Sequence, residues 1–137
     1  MKYFAVIDTN VIVSSFLTQN TAPDIVVQNA LNGSITPLVS DGIIKEYKDV
    51  LSRDKFGFDP ARINNFILEL SNRAIFLDGI DTDEVFLDKD DIIFYKVVLE
   101  ARTISEAVLI TGNKKHFPIR TFILSPAEMV KIIESNK

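Results

Sequence analysis

Short runs of apolar, β-branched residues alternate along the whole chain with stretches in which apolar positions recur every three or four residues. Runs of the first kind, at residues 3–7 (YFAVI), 35–39 (ITPLV), 74–78 (AIFLD), 107–111 (AVLIT) and 120–124 (RTFIL), predict strands. Pro37 lacks the N–H that a ladder needs and weakens the second of them. Helices are predicted over 22–32, entered through Thr21-Ala22-Pro23, and over 60–72, entered through Asp59-Pro60, an N-cap with proline at the first helical position. Ser40 to Leu51 carries Ile43, Ile44, Tyr47, Val50 and Leu51 on one stripe, and a further helix runs to about Arg102. Ser125-Pro126-Ala127-Glu128 supplies a cap, an N1 proline and a capping-box glutamate ahead of Met129, Val130, Ile132 and Ile133. Strands that are apolar throughout and separated by helices imply a parallel sheet covered on both faces, an α/β sandwich. No internal repeat and no Pro-, Gly- or Ser-rich linker divides it, so one domain is expected over residues 1–137.

Composition narrows the class. A chain of 137 residues, 47% apolar and 25% charged, buries roughly two thirds of its surface on folding and needs no disulfide or structural metal. The absence of cysteine removes thiol nucleophiles, Cys-based zinc sites and a disulfide scaffold together, and fits a reducing compartment. No apolar run approaches the roughly 18 residues of a membrane span, and Asp8 falls where a signal peptide keeps its apolar centre uncharged. A cytoplasmic protein is expected. The net charge of −4 argues against nucleic acid until its distribution is considered. Residues 78–91 hold seven acids and one lysine, which leaves 12 acids against 14 bases elsewhere, a weakly basic remainder with one acidic, solvated loop.

In open parallel sheets ligands bind beyond the carboxyl ends of the strands, so the polar residues that end the apolar runs carry the candidate chemistry. Asp8 ends the first strand, followed by Thr9 and Asn10, and a charge between Ile7 and Val11-Ile12-Val13 is costly unless something pairs with it. The alternative for Asp8 is a helix cap. Glu46 lies on the border of the apolar stripe of its helix, while Lys45, Lys48 and Asp49 point to solvent. Asp91 stands three, four and seven residues before Phe94, Tyr95 and Val98 and shares their inward ridge, with Asp90 the more natural cap. Thr111-Gly112-Asn113 places a hydroxyl and a carboxamide at the same edge as Asp8.

Several acids gathered at one edge repel unless protonated or bridged by a cation, and oxygen ligands without His or Cys suit Mg²⁺ or Mn²⁺. Such an ion could activate a water against a phosphodiester and stabilise the charge developing on its oxygens. Lys114, Lys115 and Arg120, with no acid beside them in sequence, form a candidate clamp for a phosphate backbone. His116, the only histidine, is read as a packing or capping residue before a catalyst, and the ten phenylalanines as core.

Taken together, VIDTNVIVSS at the start, the helix from Ser40 to Glu46, DKDDIIFYKVVLEA and LITGNKKHF resemble, in pattern and order, a PIN domain, the small nuclease fold found in the toxin halves of many toxin-antitoxin pairs. The resemblance implies a central parallel sheet of four or five strands in a three-layer α/β/α sandwich and metal-dependent cleavage of RNA. It implies that Asp8, Glu46 and Asp91 bind the divalent metal, that Asn113 completes the catalytic set, and that Thr9, Asn10 and Thr111 orient these ligands. Many relatives have aspartate where Asn113 stands, and a neutral amide holds a second ion less firmly, which implies one Mg²⁺ or Mn²⁺ per site. RNA substrate, an antitoxin partner and a homodimer are likewise implied.

Three other readings compete. A haloacid-dehalogenase-like phosphatase needs a second aspartate two residues after the first, where this chain has Asn10. A receiver domain needs an acidic pair near the first strand, which is missing. The stronger alternative is a PIN-like module that has lost turnover and binds RNA or a protein partner, motivated by Asn113 and the negative charge.

Overall fold

The computed structural model describes residues 2–86 and 88–137, so Met1 and, within the acidic stretch, Leu87 lie outside the described residues. The elements are β1 (Tyr3–Ile7), α1 (Thr9–Leu17), α2 (Ala22–Asn32), β2 (Ile35–Val39), α3 (Asp41–Leu51), α4 (Pro60–Arg73), β3 (Ile75–Phe76), α5 (Ile92–Arg102), β4 (Val108–Ile110), β5 (Ile123–Leu124) and α6 (Pro126–Ser135), with 3₁₀ turns at Lys89–Asp91 and Lys114–His116. All five strands are parallel, in the order β3-β2-β1-β4-β5. The α/β/α sandwich expected from the sequence is the observed architecture.

Chain order explains both the layers and the position of the site. The strands run outward from β1 to β3, then return across the sheet to β4 and β5. Right-handed crossovers therefore place the helices of the outward path on one face and α5, on the return path, on the other. α5 packs on β1, β2 and β4, whereas α2 packs on β2 and against α1, α4 and α6. The direction of winding reverses between β1 and β4, and their carboxyl ends flank the crevice where open α/β sheets bind ligands. The central strand is dry: Ala5, Val6 and Ile7 are all buried.

The two rim strands are shorter than the apolar runs suggested. Of the run 74–78 only Ile75 and Phe76 form a strand, and both are exposed. After one more rung, Leu77 N–H to Val39 O at 2.8 Å, the chain turns away through Gly79 at φ +90°. Residues 120–122 likewise form a turn, closed by Ile123 N–H donating to Arg120 O. A rim strand pairs on one side only, so hydrophobicity alone does not set its length. Pro37 is tolerated inside β2 for a related reason. Val39 O faces β3, so Pro37, two residues earlier, faces the same side before β3 begins and gives up no ladder bond.

Most of the phenylalanines build core, as expected, whereas Phe4 in β1 and Phe76 in β3 are exposed. Phe16 packs on Phe58 and Phe66 with centroids 5.0 and 5.2 Å away, and Phe86 packs edge-on against Tyr95 and Phe117 at 5.3 and 5.8 Å. The second cluster ties the acidic loop, α5 and the 114–116 turn together. Gly79 N–H to Glu100 (2.8 Å) and Ile80 N–H to Lys96 O (3.1 Å) strap the start of that loop to α5.

Candidate active site

Asp8 leaves β1 with its N–H bonded to Ile110 O at 2.9 Å, so its position is set by the β1–β4 pairing. It is the residue ahead of α1, but its side chain makes no capping bond. The carboxylate Oδ2 instead accepts from the Thr111 hydroxyl at 2.8 Å and from Asn10 Nδ2 at 3.1 Å. Asn10 Oδ1 in turn accepts from Gly112 N–H at 2.9 Å, and Thr111 Oγ1 accepts from Asn113 N–H at 3.0 Å. A Cβ on residue 112 would lie 3.2 Å from Asn10 Oδ1, so glycine permits the close approach. From beneath, the buried Tyr47 hydroxyl donates to Ile7 O. Asp8 is only 5% exposed, and burial raises its carboxyl above the ordinary range, with the bonds from Thr111 and Asn10 pulling it part of the way back.

The other acids arrive from helices on neighbouring segments. Asp91 ends the 3₁₀ turn that leads into α5, and its carboxylate makes no capping bond. The cap expected of Asp90 is made by Asp88, whose Oδ1 accepts from Asp90 N–H at 2.9 Å, because the chain enters α5 through a 3₁₀ turn. Asp91 Oδ2 is buried with no hydrogen-bond partner among the described residues, and His116 Nδ1 lies 3.4 Å away, within ion-pair distance. Burial, then the charges of Asp8 and Asp88, push the Asp91 carboxyl up to about 6 against the pull of His116. Glu46 sits half-buried on the border of the α3 stripe formed by Ile43, Ile44 and Tyr47. Its carboxyl is raised by burial first and then by Asp90, with Arg53 opposing, and it also lies in the field of Asp8.

Glu46 and Asp91, from distant parts of the chain, thus each lie in the field of Asp8. Thr111 and Asn10 grip Asp8 directly. Asn113 is exposed beside them, bonded through its main chain. Thr9 is buried, and its Oγ1 has no hydrogen-bond partner among the described residues. Of the three bases, Lys114 is paired with Glu128 at 2.9 Å, and Arg120 is bonded to Glu84 of the acidic loop. Lys115 is exposed with no ion pair among the described residues. The His116 contact with Asp91 and the Tyr47 support of Ile7 were not foreseen, since both depend on tertiary convergence.

The donor chemistry of these residues suits a hard divalent cation. The donors are carboxylate, amide and hydroxyl oxygens, burial and mutual repulsion penalise the carboxylate charges, and one buried carboxylate oxygen, Asp91 Oδ2, makes no hydrogen bond among the described residues. Among the described residues no three His, Asp or Glu side chains are already drawn close enough to hold an ion.

A model of the PIN-domain family matches residues 5–115. The chain belongs to the PIN-domain family. The matched stretch includes Asp8, Glu46, Asp91 and Asn113, and the PIN domain is a nuclease-type fold. No curated protein matches the chain.

The hydroxyl of Thr111 is central to the PIN site's order. Thr111→Val removes a donor from Asp8 and an acceptor from Asn113 N–H while preserving volume. It is expected to cost about 1–3 kcal/mol in denaturant unfolding and to weaken Mn²⁺ binding about 10- to 100-fold. Unchanged values in both measurements would show that Thr111 does not hold Asp8.

Proposed function

We propose that the chain is a divalent-metal-dependent endoribonuclease acting as a single domain, with Asp8, Glu46 and Asp91 holding one Mg²⁺ or Mn²⁺ and Asn113 completing the set. The observation that carries the reading is the Asp91 carboxylate, whose buried Oδ2 makes no hydrogen bond among the described residues and faces His116 Nδ1 at 3.4 Å, in the field of Asp8, at the carboxyl edge where the sheet reverses. When bound, the ion supplies charge stabilisation at the phosphate and a more acidic water. The chain's own residues do the rest. Thr111 and Asn10 fix the Asp8 carboxylate, burial in the β1–β4 seam keeps it from rotating away, and the Asn113 carboxamide offers an oxygen or an N–H to the substrate.

Purified protein with Mn²⁺ is expected to cut single-stranded RNA and to stop when a chelator is added. Persistent cleavage under chelator would contradict the metal reading. Lys115 is the basic side chain best able to meet the RNA backbone, because Lys114 and Arg120 must first leave their acids. Lys115→Ala is expected to weaken RNA binding most at low salt and to reduce the slope of log K against log salt by about 0.7. An unchanged slope removes Lys115 from the interface.

The biological setting proposed is the toxin half of a toxin-antitoxin pair, with an antitoxin covering the acidic site, a homodimer as the working state and the cytoplasm as its location. It rests on the LITGNKKHF resemblance. A neighbouring reading frame encoding a short DNA-binding protein would support it. The second reading, a module that binds RNA or protein without turnover, is favoured by the neutral Asn113 and the net charge of −4.

A further inference from the structure

Beside the acidic edge lies a surface depression of about 230 Å³ at the junction of α1, α2, the β4 end and α6. It is lined by Asn10 and Ser14 of α1, Pro23 at the start of α2, Asn113, and Pro126 at the start of α6. Its chemistry differs from that of its neighbours. Four other depressions each carry at least one ionisable side chain, whereas this one carries none. With no cation in its lining and the negative Asp8 behind Asn10, it is unsuited to a phosphate.

What it offers is two proline rings, Pro23 and Pro126, and a few unspent polar groups. Asn10 is committed on two sides, to Asp8 and to Gly112. The Asn113 carboxamide and the Ser14 hydroxyl have no hydrogen-bond partner among the described residues. An amide and a hydroxyl pair naturally with the mixed donor and acceptor edge of a base, and a splayed-out base of single-stranded RNA is read in this way. The size suits one base, since a cavity of about 150 Å³ accepts a benzene ring.

We propose that this depression is the subsite for one unpaired nucleobase next to the scissile bond, packed against the Pro23 and Pro126 rings and read on its polar edge by Ser14 and Asn113. The inference rests on the ribonuclease reading and deepens it: Asn113 joins the acidic site to the base pocket, so the pocket sets which phosphodiester is presented.

The test uses the full chain with Mn²⁺ and a short RNA carrying one mapped cut, together with two versions in which the base on either side of the cut is replaced by an abasic residue. Wild type is expected to lose about tenfold in kcat/KM at one of the two positions. Ser14→Leu, which fills the depression, is expected to lose a similar factor on the intact RNA and nothing further on the abasic one. Ser14→Ala, which keeps the space, is expected to change the ranking of the four bases at that position by about two- to tenfold. Calorimetric Mn²⁺ affinity is expected to be unchanged in Ser14→Ala. Cleavage by wild type that is indifferent to both abasic positions, or an unaltered base ranking in Ser14→Ala, overturns the subsite alone. Failure of wild type to cut any RNA overturns the ribonuclease reading and the subsite with it.

Discussion

Asp8→Asn is expected to lower RNA cleavage at least a hundredfold while leaving the fold intact. Loss of even an outer-shell partner of a metal ligand costs about 10- to 100-fold, and here the ligand itself loses its charge. The asparagine oxygen can still accept from Thr111 and Asn10, so the β1–β4 seam keeps its hydrogen bonds. A buried charge is removed at the same time, which opens no cavity. The checks are cleavage of a labelled RNA in Mn²⁺ and a thermal melt. Retained cleavage in this variant would defeat the site assignment, and a collapsed melt would mean that the charge of Asp8 holds the seam together.

Asp91→Asn is expected to stabilise the metal-free protein at neutral pH. The folded-state carboxyl is raised to about 6 from an ordinary 3.8, so the folded protein binds this proton more tightly than the unfolded chain does. Stability from this group is therefore present below about pH 4 and is lost as pH rises through 6. Asp8 and Glu46 are shifted in the same direction. At pH 7 the variant is expected to gain about 1–2 kcal/mol, allowing for solvent screening, or roughly 3–8 °C in melting temperature. Near pH 4 the gain should vanish, since both proteins then carry a neutral side chain at position 91. Added Mn²⁺ should reverse the order at pH 7 by stabilising only the wild type. A variant no more stable than wild type at pH 7 without metal would mean that Asp91 is not strained by its neighbours.

The parts of this molecule set by local chemistry were legible in the sequence. Ser125 accepts from Glu128 N–H and Glu128 reaches back to Ser125 N–H, so the capping box that marks α6 is realised as written. Asp59 caps α4 ahead of Pro60 in the same way. Glu46 is at the border of its stripe because helical periodicity fixes its angle to Ile43 and Tyr47. Where the outcome depends on segments far apart in the chain, the individual contacts had no local signal. Whether Asp8 caps a helix or turns to Thr111 is decided 103 residues away by the β1–β4 pairing. The pairing of Lys114 with Glu128 and of Arg120 with Glu84 likewise comes from folding, and it leaves Lys115 where three bases had looked equivalent. His116 approaches Asp91 because Phe117 is buried in the Phe86 cluster beneath it, a contact with no local signature.

The most direct measurement is calorimetric titration of Mn²⁺ into wild type and Asp8→Asn at pH 7 without RNA. Wild type should take up one ion and the variant should bind at least tenfold more weakly. Equal affinity in the two proteins, or no binding by wild type, would contradict the assignment of Asp8, Glu46 and Asp91 as a shared metal site.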